Sequence, residues 1–284
     1  PGSAGAKTTL VLGTGVATLY YSCANHSGMG GQINTNSTAG ASNFDGSIQS
    51  TVRANQSAGF SIVSYQGNGS TSSPSIGHGL NASLGLVIIK NRDGSQSYPD
   101  WYVKHKDIGD NYNTRLNLTA GRELATGTGA WYQGGIGNLT SSSVITFVTG
   151  SQNSTGNVNT NSNNYIAYCF APVEGYSAFG SYTGNGSSDG PFVYTGHRPR
   201  FLLLKSTSFN TDWFIVDTER DPFNGVEDHV YPNLSNVEAT GVPFIDILSN
   251  GFKYRYAGGG LNTSGHTIIW ASFAEHPFRT ARAR

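Results

Sequence analysis

Sulfur, charge and helix-forming residues are all scarce in this chain. Of its 284 residues two are cysteine, one is methionine, and 12% are charged. Cys23 and Cys169 cannot supply a disulfide framework, and Cys169 lies inside an apolar run, so both read as buried free thiols rather than a bridge. The 17 basic residues balance the 17 acidic ones and are scattered, which excludes the basic track that nucleic-acid binding needs. No apolar run approaches the roughly 20 residues of a membrane-spanning helix, so membrane insertion is not expected. The Ala, Glu, Lys and Leu that long helices need are thin. Catalytic signatures are missing as well: there is no G-x-S-x-G elbow, H-E-x-x-H, P-loop or zinc-type Cys/His spacing. No catalytic residue, cofactor or metal is therefore expected.

What fills the space is 38 Gly, 15 Tyr and 14 Phe, with much Ser, Thr and Asn. That stock favours short strands joined by turns. The strands repeat in order. SYQGNGS at 64–70 returns as SYTGNGS at 181–187, Gly77-His78 as Gly196-His197, LVIIK (86–90) as FLLLK (201–205), and Trp101 as Trp213. RLNLT (115–119) then answers to YPNLS (231–235), and YIAYCFA (165–171) to IIWASFA (268–274). An order kept over roughly 110 residues marks a duplicated unit rather than a solenoid. The fold class expected is all-β, built of antiparallel β-sandwich or jelly-roll units, internally duplicated over 59–175 and 176–284.

Ahead of the units, residues 1–58 read as an N-terminal hairpin (7–12 with 16–23) and an extended polar arm. The chain opens on Pro1 with no leader, which suits a processed product or a piece of a longer polypeptide. GFSIVSY at 59–65 and both LVIIK and FLLLK carry apolar residues on both phases, as strands covered on both faces do. Only 225–239 has room for a helical turn, and NVNTNSNN (157–164) reads as a tip loop.

Candidate site residues are few. Asp217, Glu219 and Asp221 would share one face if DTERD were extended, a placement open to glycoside chemistry or calcium. The first repeat has Lys104-His105-Lys106-Asp107 there, and Arg220 and Pro222 favour a salt-bridged strand end. His78 and His197, recurring beside glycine, read as a shared structural contact. Trp101, Trp131 and Trp213 are candidates for stacking on sugar rings, with core packing as the plainer reading. Eleven N-x-S/T sequons matter only in a eukaryotic secretory setting.

GFSIVSYQGNGS, SIGHGL, LVIIKNRDGS, the long phrase from Tyr165 to Lys205, RDPFN, LSNGFKYR and FAEHPFRTARAR together resemble the C-terminal module of virion structural proteins of tailed bacteriophages of marine and cyanobacterial hosts. The resemblance spans about residues 58–284 and departs at His197, where it implies an aromatic. It implies a tail-fibre-like or receptor-binding module on the virion surface, contacting other virion proteins and a host surface glycan or receptor. The alternative is a capsid decoration, cement or scaffold protein, with a polysaccharide depolymerase a distant third. A homo-oligomer, most simply a trimer joined through residues 1–58, is the expected assembly.

Overall fold

The computed structural model describes residues 40–93, 99–126, 134–150 and 156–276, and the backbone of 19–22 and 30–33. At the start, β1 (Leu19–Ser22) pairs with β2 (Gly30–Ile33); residues 7–18, the other arm of the expected hairpin, lie outside the described residues. The first unit contains β3 (Ala41–Asn43), β4 (Ser50–Asn55), β5 (Phe60–Gln66), β6 (Ser75–Gly77), β7 (Leu86–Asn91), β8 (Trp101–His105) and β9 (Tyr112–Arg115). It continues with β10 (Glu123–Leu124), β11 (Gly135–Ile136), β12 (Val144–Val148), the single helical turn α1 (Gly156–Asn159) and β13 (Asn164–Phe170). The second contains β14 (Ser177–Thr183), β15 (Phe192–Tyr194), β16 (Pro199–Ser206), β17 (Trp213–Asp217), β18 (Ile245–Leu248), β19 (Gly251–Tyr254) and β20 (Thr267–Ala274).

Each unit is a sandwich of a long and a short antiparallel sheet, and the strand orders correspond. The first unit runs β10-β9-β8-β7-β13-β5-β4-β3 over β11-β12-β6; the second runs β17-β16-β20-β14 over β18-β19-β15. LVIIK and FLLLK thus occupy equivalent strands, as do Trp101 and Trp213. Alternation explains the apolar residues on both phases. In β7, Val87 and Ile89 point into the first sandwich, whereas Leu86 and Ile88 meet Leu203, Phe273 and Trp213 of the second. In β16, Leu202 and Leu204 fill the second core and Leu203 faces the first unit. The two long sheets therefore pack on each other, with a short sheet outside each.

The repeated phrases are clasps. In SYQGNGS, Tyr65 donates to Val158 O at 2.6 Å, and the buried Asn159 takes the Asn68 N–H at 3.0 Å. In SYTGNGS, Tyr182 donates to Leu261 O at 2.8 Å, and the buried Asn262 takes the Asn185 N–H at 3.0 Å. In RLNLT, Asn117 accepts from Trp101 N at 2.9 Å and donates to Asp100 at 2.8 Å; in YPNLS, Asn233 does the same for Trp213 N and Asp212 at 2.9 and 2.7 Å. These sequons are structural.

Several expectations are corrected. The first unit takes in residues 40–58: β4 pairs with β5, and Ile48 and Val52 sit in the core, so this stretch is not a free arm. His78 and His197 are not equivalent. His78 N donates to Ser143 O as Thr195 N does to Asn250 O, and the left-handed glycines that align are Gly79 and Gly196. Residues 157–160 are no tip, because Val158 and Asn159 are buried. Over 225–239 bridges form at Ile215–Val230 and His229–Ala239, without helix.

The second unit lacks any counterpart of β3 and β4 among the described residues. Its edge is closed by a swap of volumes: where the first unit has Val63 beside Ala167, the second has Gly180 beside Trp270. A Cβ on Gly180 would lie 2.5 Å from the Trp270 ring, so the indole lies over the glycine.

Candidate functional site

One row of side chains is identical in the two units and meets opposite fates. Register partners across β5, β13, β7 and β8 give Ser64, Ile166, Lys90 and Trp101; across β14, β20, β16 and β17 they give Ser181, Ile269, Lys205 and Trp213. In each, the lysine donates to the carbonyl two residues ahead of the tryptophan, Lys90 to Pro99 O and Lys205 to Thr211 O.

The second unit's row is buried. The first unit's segment 115–122 lies over it: Trp213 Nε1 donates to Arg115 O at 2.9 Å, Lys205 Nζ to Thr119 O at 2.9 Å, and Arg122 N to Thr207 O at 2.9 Å. Trp213 is 1% exposed and Lys205 fully buried, and that burial pushes the lysine down to about 8. Lys205 does not leave the core, as a strand-end lysine is expected to; bound carbonyls hold it there. A fourth hydrogen bond between the units comes from His105, whose Nδ1 accepts the Asp107 N–H at 3.1 Å, so that Nε2 donates to Trp270 O at 3.1 Å. Burial pushes this imidazole down to about 4 and keeps it neutral.

The first unit's row is open. Trp101 and Tyr168 are half-buried and stack at 6.3 Å with planes 19° apart, and Lys90 lies 5.6 Å from the Trp101 ring centre. The row runs into a cleft of about 530 Å³ at the strand ends, lined by Ser50, Thr51, Ser64, Gln66, Arg92 and Asn164 among others. Ser50, the register partner of Tyr65, turns its side chain toward the first core with Ile48 and Val52.

Of the residues expected to form a site, Trp101 stands at this corner, Trp213 is packed between the units, and Trp131 lies outside the described residues. DTERD is not extended. Asp217 ends β17 and accepts from Glu219 N and Arg220 N at 3.1 and 2.8 Å, Glu219 pairs with Arg200, and Asp221 accepts from Glu227 N at 2.9 Å. Arg220 ties Asp217 to Glu238. Each carboxylate is thus committed to a different partner. Among the described residues no group of three or more His, Cys, Asp or Glu is placed to hold a metal, and no helix is long and apolar enough to cross a membrane. Cys169 is a buried free thiol, pushed up to about 12 by burial; Cys23 lies outside the described residues.

Lys90, Arg92, Tyr168 and Asn164 were not singled out by sequence reasoning. Their shared face depends on β13 lying between β5 and β7, a pairing over roughly 100 and 80 residues that no local pattern encodes.

Residues 33–277 match the family described as a domain of unknown function, DUF7483, and the chain belongs to that family. Neither a curated protein nor a solved structure matches it.

Proposed function

We propose that this chain is a non-enzymatic module of a phage virion surface that attaches to the host cell, and that the open Trp101 corner is its contact. The observation that carries the reading is the fate of the duplicated row: one copy builds the interface between the units, and the other leaves stacked, partly exposed rings on a row that leads to a polar cleft. An aromatic face beside amides and cations suits a ligand with apolar and polar sides. The phrases shared with phage virion proteins support the setting. The carboxylates spent on arginines and backbone amides favour binding over hydrolysis.

The test is binding of the purified chain to host cells, with release of reducing ends assayed in parallel. Saturable binding without release is expected; release abolished by Asp217→Ala or Glu219→Ala would replace attachment with a depolymerase.

A second reading, capsid decoration or scaffold, has its own support in the second unit. Phe223 and Val237 are 78% and 87% exposed, and Phe192 and Tyr194 also face outward, a surface suited to protein neighbours. Copy number per virion separates the two, since decoration needs hundreds of copies and a fibre at most a few dozen.

A further inference from the structure

We infer that the cleft and the row leading from it to Trp101 form a binding site for an acidic polysaccharide. This rests on the attachment reading and names its ligand class and place. Thr51, Ser64, Ile166, Lys90 and Trp101 are successive register partners on five adjacent strands. At about 4.8 Å per strand they form a track of about 19 Å, the shape of a short stretch of extended polymer.

The two ends of the track offer different chemistry. At one, the Trp101 and Tyr168 rings present a flat apolar surface to the C–H face of a sugar. At the other, the cleft holds the hydroxyl and amide groups of Thr51, Ser64, Gln66 and Asn164.

Charge sets the ligand class. Arg53 and Arg92 point from the same face of the sheet, both are exposed, and among the described residues neither is in an ion pair. The carboxylate beside them is Asp93, which accepts the Asn164 N–H at 2.6 Å. Two guanidinium groups and Lys90 against one carboxylate leave the face positive, and guanidinium groups match carboxylates and sulfates in geometry.

The second unit serves as an internal comparison. Its row is the same Ser, Ile, Lys and Trp, covered by a peptide segment, so the row alone suits protein packing. The neighbours differ. Where the first unit has Arg92, Gln66, Asn164 and Tyr168, the equivalent positions of the second are Thr207, Thr183, Thr267 and Ala271. The open copy has gained a cation, two amides and a second ring, the groups that bind an acidic sugar and that packing against a loop does not require.

The test is binding of the full chain to polygalacturonate, dextran sulfate and uncharged dextran at two salt concentrations, beside host-cell binding. The parent is expected to bind one or both charged polymers at least tenfold more tightly than dextran. Trp101→Ala and Arg92→Gln should each weaken that binding about tenfold, Arg92→Gln with a shallower salt dependence, while far-UV circular dichroism stays unchanged and Phe223→Ala, on the other unit, binds as the parent does. Polygalacturonate bound over dextran sulfate assigns the carboxylate class, and the reverse the sulfate class. If the parent binds cells and both variants match it, the site is wrong and attachment stands. If the parent binds neither cells nor polymer, both fall. Loss of a virion-protein contact in Trp101→Ala, with polymer binding intact, would also overturn the site.

Discussion

Asn117 and Asn233 each hold an Asp-Trp pair at the entry of a strand, with one amide serving the tryptophan N–H and the aspartate at once. Replacing either by alanine strands a partly buried N–H and takes one partner from the aspartate, although Asp100 keeps its ion pair with Arg115 at 2.8 Å. We expect each substitution to cost about 1–2 kcal/mol in a urea titration, with the larger loss at Asn233, because Trp213 is buried whereas Trp101 is only half-buried. The buried lysines make a different prediction. Lys104 donates to Gly109, Asp110 and Tyr112 carbonyls at 2.6–2.9 Å, and burial pushes it, like Lys205, down to about 8. Between that value and the ordinary 10.5 the unfolded chain binds more protons than the folded one, so stability rises with pH across that window. Above about pH 9 the effect is opposed, because Cys169 is pushed up to about 12 and then favours the unfolded thiolate. Urea midpoints should therefore climb from pH 8 to pH 9, by an amount on the order of 1–2 kcal/mol, and Lys104→Met should reduce the climb. A flat profile would show that neither lysine is shifted.

At the scale of elements, the edge of the second sandwich depends on Gly180 lying beneath Trp270. Gly180→Val should overpack this contact and destabilise by about 1–3 kcal/mol or more. Adding Trp270→Ala to give the first unit's Val–Ala pair should recover part of that loss. Additive loss in the double variant, measured by chemical denaturation, would show that the two positions are not coupled. Most of this architecture was legible in the sequence: alternating apolar residues placed the strands, and apolar residues on both phases of LVIIK and FLLLK announced faces covered on both sides. Three things escaped. Ser50–Asn55 falls in SIQSTVRA (47–54), whose period of two suits a strand, but the stretch around it is poor in apolar residues, so only the pairing with β5 reveals its place in the first sheet. DTERD is a turn because Asp217 takes two backbone N–H groups, which spacing cannot show. His78 and His197 align by letter but not by register, since the count of residues before the left-handed glycine differs by two.

At the scale of the molecule, the two units are joined by the Lys205–Trp213 row, an aromatic cluster around Phe170 and Phe273, and the neutral His105. The folded pKa of His105 lies at about 4 against an ordinary 6.5, so the unfolded chain takes up the proton first as pH falls through that range. Stability held at neutral pH is then lost between about 6.5 and 4, up to roughly 3 kcal/mol for this group, and His105→Asn should flatten the acid limb. Because residues 40–58 belong to the first sandwich, removing 1–57 should impair its folding, whereas removing 1–39 tests assembly; a trimer by light scattering that persists without 1–39 would place the joint elsewhere. The central claim is that one row of residues has two destinies, interface in the second unit and ligand contact in the first. The most direct measurement is thermal or chemical stability and host-cell binding, side by side, for Trp101→Ala and Trp213→Ala. Trp213→Ala should lose about 3–5 kcal/mol, and Trp101→Ala should stay near the parent in stability while losing most host binding. Full host binding by Trp101→Ala, or equal destabilisation by the two, would contradict the account.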